Sequence, residues 1–561
     1  MSLRRRPSIP AAPNSKGSAL PTPELTPKFL RLERSIRALS TAIYIIQQQS
    51  NFHAHDNLDS CIKDKDRSKV FGHLATLLTT GSPLGRQTVA VTGGSSHLGF
   101  YVNVTEIIAR KGWTERSKGP GLVKLSPVPP SGKTLKQLAE DRRPFSKITL
   151  AEHAGDVFQA LRLVNQDFYD PATRTLECFI VRRCHREIYQ RLQSAVELLN
   201  PPLHDVLNKW ELSSVEGVHE QWLAIPFPPI LIDDFSIPHR PAAQWPGHIE
   251  LLFNLVTFER WKKFFVSLLR VVIDTVTGLH PEHSSSATDA VLALHFLRLF
   301  LYFGPARDIL TVPSLKMRLE NLLPRHKLEC NGQQDTSSID TILRSWRTVV
   351  AYDVAVSALT SPHCTVSSIL RQFLPKVHVI ETCLATPMKS MDSIPRIMRT
   401  RVIPALKLSK YYTGVVETLL SLHLSVNEFP GAVHCEASMM GIAYAFSQGE
   451  YGVGDPGVTR SGTAAFLDAF EGHSNTIGIA EQSCRLCYWL SEELSLPNGY
   501  FTLQSSHGRT VPWTPPRFGI PLSVLANLEV ELLELLILST QRWLEKKTRW
   551  PQEINNRNGL M

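Results

Sequence analysis

Two short stretches carry residue types that could do chemistry. The first is "SCRLC", in which Cys484 and Cys487 form the chain's only Cys-x-x-Cys pair. It opens a helical pattern, "SCRLCYWLSEELSL" (483–496). Positions i and i+3 at a helix start put both sulfurs on one face, and the helix N-terminus favours thiolate over thiol. A zinc ion on such a pair needs at least one more protein ligand, usually nitrogen, and an open position if it is catalytic. The second stretch is "GAVHCEASMMG" (431–441), with His434 and Glu436 two apart at the mouth of an apolar helix. His-x-Glu also occurs at His185/Glu187, His248/Glu250 and His280/Glu282. Residues 185–187 lie in a charged amphipathic helix, and the other two pairs lie in proline-flanked starts or loops. Only His434/Glu436 begins an apolar helix in the same unit as the cysteine pair.

The elements that must position these residues are legible from periodicity. "TIGIA" (476–480) reads as a buried strand just ahead of the Cys pair, and "YFTLQSS" (500–506) alternates like a strand. A Pro/Trp turn, "HGRTVPWTPPRFG", leads to a last long helix over 523–547. Residues 396–424 read as basic and helical, with Arg396, Arg399, Arg401, Lys407 and Lys410 on a candidate nucleic-acid-facing helix or an ordinary solvated face. The Gly-rich segment inside 447–474 reads as an insertion. The last 150 or so residues therefore form an α/β layered unit.

Upstream, residues 1–26 are a basic Pro/Ser-rich tail without periodicity and are expected to be disordered. Helical patterns follow over 27–49 and 69–81. A strand-like "TVAVTGG" (88–94) and a long loop over 113–147 come next. From about 148 to 388 long helical patterns alternate with proline-rich connections. "VAVTGGSSHLGF" (89–100) is similar to the glycine-rich turn of short-chain dehydrogenases, but His97 stands where the middle glycine belongs and no Tyr-x-x-x-Lys follows. A strand entering a Gly/Ser turn explains it more simply.

Composition sets the class. The chain has 561 residues, 43% of them hydrophobic, enough for several domains or one large composite. Its formal net charge is +9, but residues 1–37 hold eight Lys/Arg against Glu24 and Glu33. The basic balance is mostly a property of the N-terminal end and does not by itself predict a nucleic-acid groove. Nine scattered cysteines and no apolar leader suggest a reducing, intracellular setting, cytoplasm or nucleus. The most apolar stretch, 290–303, is too short to span a bilayer and is interrupted by His295 and Arg298. No membrane partner is expected.

The ordered set His-x-Glu, apolar strand, Ser-Cys-x-x-Cys resembles the zinc-dependent nucleoside/nucleic-acid deaminase superfamily. It is most similar to a fungal-type family within it, through "VHCEASMM", "IGIAEQSCRLC" and "SHGRTVPWTPP". The resemblance implies a large, mostly α-helical N-terminal region followed by a C-terminal three-layer α/β/α cytidine-deaminase-like domain. On this reading 1–26 is the tail, 27–390 a helical region of unknown role, 395–547 the zinc domain with its 447–474 insertion, and 548–561 a second tail. It further implies that His434, Cys484 and Cys487 ligate one Zn²⁺ and that Glu436 moves protons. His507 and Trp513 would line the substrate site. The substrate would be a nucleobase, free or in a nucleoside, nucleotide or nucleic acid; no protein partner is indicated. Cys435, one residue past His434, is expected to point away. Two departures are visible: Ser483 stands where the commonest pattern has proline, and the interval from Glu436 to Cys484 is long. A structural zinc site completed by His473 or His507, or a catalytically inactive interaction scaffold, is the alternative.

Overall fold

The computed structural model of the chain describes residues 26–50, 65–81, 89–96, 99–108, 124–143, 148–167, 170–212, 217–225, 236–242, 249–279, 284–323, 338–361, 375–383, 393–407, 414, 416, 433–448, 466–467, 470, 475–480, 483–497, 499–503, 506, 508–516 and 518–558. The principal elements, in chain order, begin with α1 (Pro27–Ser50), α2 (Lys65–Leu78), β1 (Val89–Ser96), β2 (Gly99–Ile108) and β3 (Lys124–Pro127). A helical block follows: α3 (Leu150–Asp167), α4 (Asp170–Arg183), α5 (His185–Val196), α6 (Leu255–Thr277), α7 (Ser284–Tyr302), α8 (Ser338–Val349) and α9 (Ala351–Thr360). The rest is β4 (Lys376–Cys383), α10 (Cys435–Ser447), β5 (Thr476–Ile479), α11 (Arg485–Glu493), β6 (Thr502–Leu503) and α12 (Leu522–Asn558).

One six-stranded sheet organises the molecule, in the order β6-β5-β1-β2-β4-β3. β6 runs parallel to β5, and β2 parallel to β4; the other neighbours are antiparallel. Four of the six strands precede residue 395. The layered unit thus draws on chain that sequence reading placed in the helical region. The glycine-rich stretch at 89–100 is part of an antiparallel hairpin, Val89 pairing with Glu106 and Ser96 with Gly99. A strand, not a helix, follows its turn, so the dinucleotide-binding geometry does not form there.

Alternation along the strands sends residues to two cores. Val89, Val91, Val102, Val104, Val377 and Val379 join the core shared with α2 and the helical block. Ala90, Ile380, Ile477 and Ile479 face the opposite core, with α1, α10, α11 and α12. This period-two switch is what a central sheet covered on both faces requires. Fully buried Trp261, Phe265, Phe300, Trp346 and Tyr352 fill the helical block. The block grips the C-terminal end of α2: His153 Nε2 lies 2.9 Å from the Leu77 carbonyl, and the Tyr352 hydroxyl donates to the Thr79 carbonyl. α2 in turn lies directly on β5.

Several boundaries differ from the sequence expectation. The loop expected over 113–147 contains a short helix, Leu135–Ala139, closed by a Thr134/Gln137 capping box. Lys133, Arg143 and Arg183 converge there on Asp141 and Asp156. The last helix runs to Asn558, through the segment expected to be a tail. Most of 447–474, His473 included, lies outside the described residues, as do residues 1–25 and Lys410.

Gly478 explains how closely α2 can approach. A Cβ on it would sit 2.2 Å from the backbone carbon of Phe71. Gly478→Ala is therefore expected to destabilise the fold by about 3 kcal/mol, at the upper end for overpacking. A urea titration reads this as a lowered midpoint, and an unchanged midpoint would show that α2 does not bear on β5 in this way.

Candidate metal centre

The centre is built where two helices begin. His434 occupies the N-cap position of α10 with extended backbone, and its side chain makes no capping bond. Cys484 occupies the N-cap position of α11, and its sulfur accepts from the Cys487 backbone N–H at 3.4 Å. Histidine is a poor choice for an N-cap, where Ser, Thr, Asp or Asn stabilise by about 1 kcal/mol. The residue type at 434 thus gives up local helix stability. Glu436, in the first turn of α10, recovers part of it through its charge. β5 delivers the chain to Ser483 and Cys484, and a bridge from Ser483 to Ser506 holds that turn to the segment after β6.

The side chains converge as the spacing predicts. One donor atom each from His434, Cys484 and Cys487 lies within 4.8 Å of the other two. Cys487 Sγ lies 3.4 Å from His434 Nδ1. Zinc bonds of about 2.3 Å to sulfur and about 2.0 Å to nitrogen, at tetrahedral angles, put a sulfur and a nitrogen about 3.5 Å apart. The observed edge fits that figure, so the donor set fits a tetrahedral zinc with a fourth position left over. Among the described residues no fourth protein donor joins the group. Both cysteines are buried, and His434, with 19% of its side chain exposed, is the most open member.

Glu436 completes the arrangement. Its Oε1 lies 3.5 Å from His434 Nδ1, and the residue is 5% exposed. Burial disfavours charge on every member, and their mutual pairing decides which keep it. Burial opposes the Cys484 thiolate, yet pairing with Cys487 and the charge of His434 hold this thiol well below the usual range. Burial and the neighbouring Cys484 push Cys487 well up. Burial works against the His434 imidazolium, but Cys484 and Glu436 raise it well above its ordinary value. Burial likewise works against the Glu436 carboxylate, and His434 holds it low. The Cys484 thiolate and the Glu436 carboxylate thus flank the His434 imidazole beside two helix N-termini, which favour negative charge.

Sequence reasoning located His434, Glu436, Cys484 and Cys487, and the structure brings all four together. Cys435 is fully buried in the apolar core and is not among the grouped donors. Trp513 is 0% exposed; its indole N–H has no close hydrogen-bond partner but lies near enough to Cys487 to favour the thiolate there. It presents no surface to solvent. His507 lies outside the described residues. Sequence reading missed the contribution of α1: Ser40 Oγ accepts from the Trp513 N–H at 3.1 Å, and Gln47 Oε1 accepts from the Thr510 N–H at 3.3 Å. The helical period of α1 marks which face is buried, but nothing in it names a turn more than four hundred residues away.

The other His-x-Glu pairs have structural duties where they are described. His185 Nε2 lies 2.9 Å from the Val276 carbonyl, Glu187 pairs with Arg191 at 3.0 Å, and Glu250 pairs with Arg240. A second cluster, Glu177, His295 and Asp353, gathers where α4, α7 and α9 meet. Arg174 pairs with Glu177 at 3.1 Å and Arg298 with Asp353, so this is an ion-pair network with its charges already answered.

A large helical region followed by a mixed α/β/α region bearing a His/Cys-Cys donor set is a cytidine-deaminase-like architecture, and its donor set is the zinc-site pattern of the deaminase superfamily. Comparison with protein-family models, curated proteins and solved structures finds no match to this chain. No helix among the described residues is long and apolar enough to cross a membrane.

Two outcomes follow. Metal analysis of the purified protein should find about one zinc per chain, lost in His434→Ala, Cys484→Ala and Cys487→Ala and kept in Cys435→Ala, because the set has one nitrogen and two sulfurs. Zinc retained by Cys484→Ala would remove this residue from the ligand set. Separately, burial first and then Asp353 raise the Glu177 carboxyl from 4.5 to about 7. The folded chain then binds this proton more tightly than the unfolded chain, so stability falls as pH rises between those values. Glu177→Gln should gain on the parent above about pH 5 and level off above about pH 7, by at most about 3 kcal/mol. A pH-independent difference in urea midpoints would refute the assignment.

Proposed function

We propose that this chain is a zinc-dependent hydrolytic deaminase acting on a nucleobase, free or carried in a nucleoside, nucleotide or nucleic acid. The observation that carries the reading is the placement of Glu436, a buried carboxylate 3.5 Å from the donor nitrogen of a set with three protein donors and, among the described residues, no fourth. A structural zinc site is closed by four protein ligands, whereas a catalytic one keeps a position for water. The narrower likeness, to the fungal-type branch, rests on the sequence motifs "VHCEASMM", "IGIAEQSCRLC" and "SHGRTVPWTPP" alone.

In this reading His434, Cys484 and Cys487 hold the ion. Bound zinc supplies Lewis acidity that brings the pKa of water from 15.7 to about 7, so hydroxide is available at neutral pH. Glu436 takes the proton from the attacking water and passes it to the ring nitrogen beside the amidine carbon. As the tetrahedral carbon collapses to a carbonyl, Glu436 takes the proton of the new hydroxyl and delivers it to the leaving amine, and ammonia departs. Water is consumed, one C–O bond forms and one C–N bond breaks, with no redox change. Through Ser40 and Gln47, α1 holds the 510–513 turn, whose Trp513 packs in the core that contains Cys487.

The test is ammonia release by the zinc-loaded protein. Cytosine and adenine would be offered as free bases, as nucleosides and nucleotides, and in single-stranded oligonucleotides. Glu436→Gln should retain zinc and lose about 10²- to 10⁴-fold in turnover, the usual worth of a positioned acid–base group. A zinc-loaded parent that releases no more ammonia than Glu436→Gln on any substrate would leave an interaction scaffold as the better description.

A further inference from the structure

The turn at 509–513 is held from two sides. Its first residue is tied to α11, where the Arg485 N–H donates to the Arg509 carbonyl at 2.9 Å. α1 holds the rest. Gln47 Oε1 accepts from the Thr510 N–H at 3.3 Å, and Ser40 Oγ accepts from the Trp513 N–H at 3.1 Å. Ser40 and Gln47 stand seven residues apart, so they share one face of the helix. Pro512 and the buried Pro515 and Pro516 fix φ on either side of Trp513. A backbone fixed in this way limits the directions open to the side chain. The indole it carries is fully buried, and its Nε1 has no hydrogen-bond partner. The ring lies instead beside the Cys487 sulfur, in the core that both residues share.

A buried N–H without an acceptor is costly, and the acceptor within reach is sulfur. A thiol sulfur accepts weakly, whereas a thiolate, being charged, accepts strongly. Zinc is bound by the thiolate form. The other sulfur of the set already has a donor, since Cys484 Sγ accepts from the Cys487 backbone N–H at 3.4 Å. We propose that Trp513 is a positioning residue of the metal centre, its indole N–H donating to the Cys487 thiolate when zinc is held. Each thiolate then has one N–H donor, one from the backbone of α11 and one from a side chain mounted on α1. No covalent bond changes. Donors of this kind orient a metal ligand and set how tightly the ion is held. The other use of a tryptophan near a nucleobase site is stacking, which needs an open ring face, and Trp513 has none. The inference rests on the zinc-binding part of the proposed function and is independent of the deamination step.

Two measurements on the full-length chain test it. The first is zinc affinity, read by competition with a chromophoric chelator. Trp513→Phe removes the N–H and keeps an aromatic ring, and it should weaken zinc binding about tenfold or more, the usual worth of such a partner. Trp346→Phe is the control. Its indole nitrogen is also buried and without a partner, but it lies in the other core, so zinc affinity should match the parent. The second measurement needs a substitution only for assignment. The nitrogen-labelled parent is loaded with a magnetically active cadmium isotope in place of zinc. The indole resonance of Trp513, identified by its loss in Trp513→Phe or Trp513→Tyr, should show a through-bond coupling to the metal. That coupling should vanish with a spin-free cadmium isotope. The inference is overturned if this resonance carries no coupling, if Trp513→Phe binds zinc as tightly as the parent, or if Trp346→Phe loosens zinc equally. A parent that binds neither metal would sink the donor set and this inference together. A coupled indole in a protein that releases no ammonia would keep this inference and remove the deaminase reading.

Discussion

The convergence of two helix N-termini on one point is the constraint that the rest of the structure serves. His434 and Cys484 both sit in N-cap positions, where the chain turns from extended to helical and the side chain projects beyond the helix end. Each helix therefore directs its unpaired N–H groups and the positive end of its dipole toward the same small volume. That field favours thiolate and carboxylate there, and it exists before any ion arrives. Neither helix can be moved without cost. Gly441 of α10 lies against the 518–519 turn so closely that a Cβ on Gly519 would meet the Gly441 carbonyl at 1.8 Å. α11 is tied through the Arg485 N–H to the Arg509 carbonyl at 2.9 Å.

The sheet supplies the platform on which those two helices are registered. β5 is short, four residues, all buried, and it gains neighbours on both edges. One of them, β1, is also locked by the Thr92 hydroxyl to the Thr476 carbonyl at 2.7 Å, across 384 residues of sequence. The long interval between β2 and α10 is occupied by the helical block, which leaves the sheet and returns through β4. Because the block also holds the end of α2, and α2 covers β5 at Gly478, its packing bears on the strand that delivers Cys484. A mechanical path of this kind makes the helical region part of the site's support.

Much of the site was legible in the sequence, and the reason is local. A Cys-x-x-Cys at a helix start and a His-x-Glu at another each carry their meaning within four residues, because helix geometry alone decides which atoms share a face. The strand at 476–479 and the helix at 485–493 were legible for the same reason. What the sequence did not disclose is long-range pairing. Nothing in "VAVTGG" says that its partners are β2 and β5, and nothing in α1 says that Ser40 will hold Trp513. Period and propensity fix an element's buried face but not what covers it. Trp513 shows the limit at a single residue: its setting among prolines announces a turn, while its indole beside Cys487 is a fact of tertiary packing. The last helix also runs beyond the 523–547 read from the sequence, through Pro551 to Asn558.

α1 joins these levels. Its buried face packs on α12 and closes the core around α10 and α11, its C-terminal half holds the 510–513 turn, and its N-terminal half carries exposed cations. Pro404 contributes on the opposite side. It lacks an N–H, and the preceding turn, Met398–Val402, widens to π geometry, a local unwinding common where a proline interrupts the ladder. The widened turn contains Arg399 and Arg401, and Arg401 reaches the same Glu529 carboxylate as Arg31. One mostly buried acid therefore orients cations from two chain segments far apart in sequence. Charge scattered along the sequence is brought together only through this packing, which the sequence, read as a nucleic-acid-facing helix or a solvated face, left open.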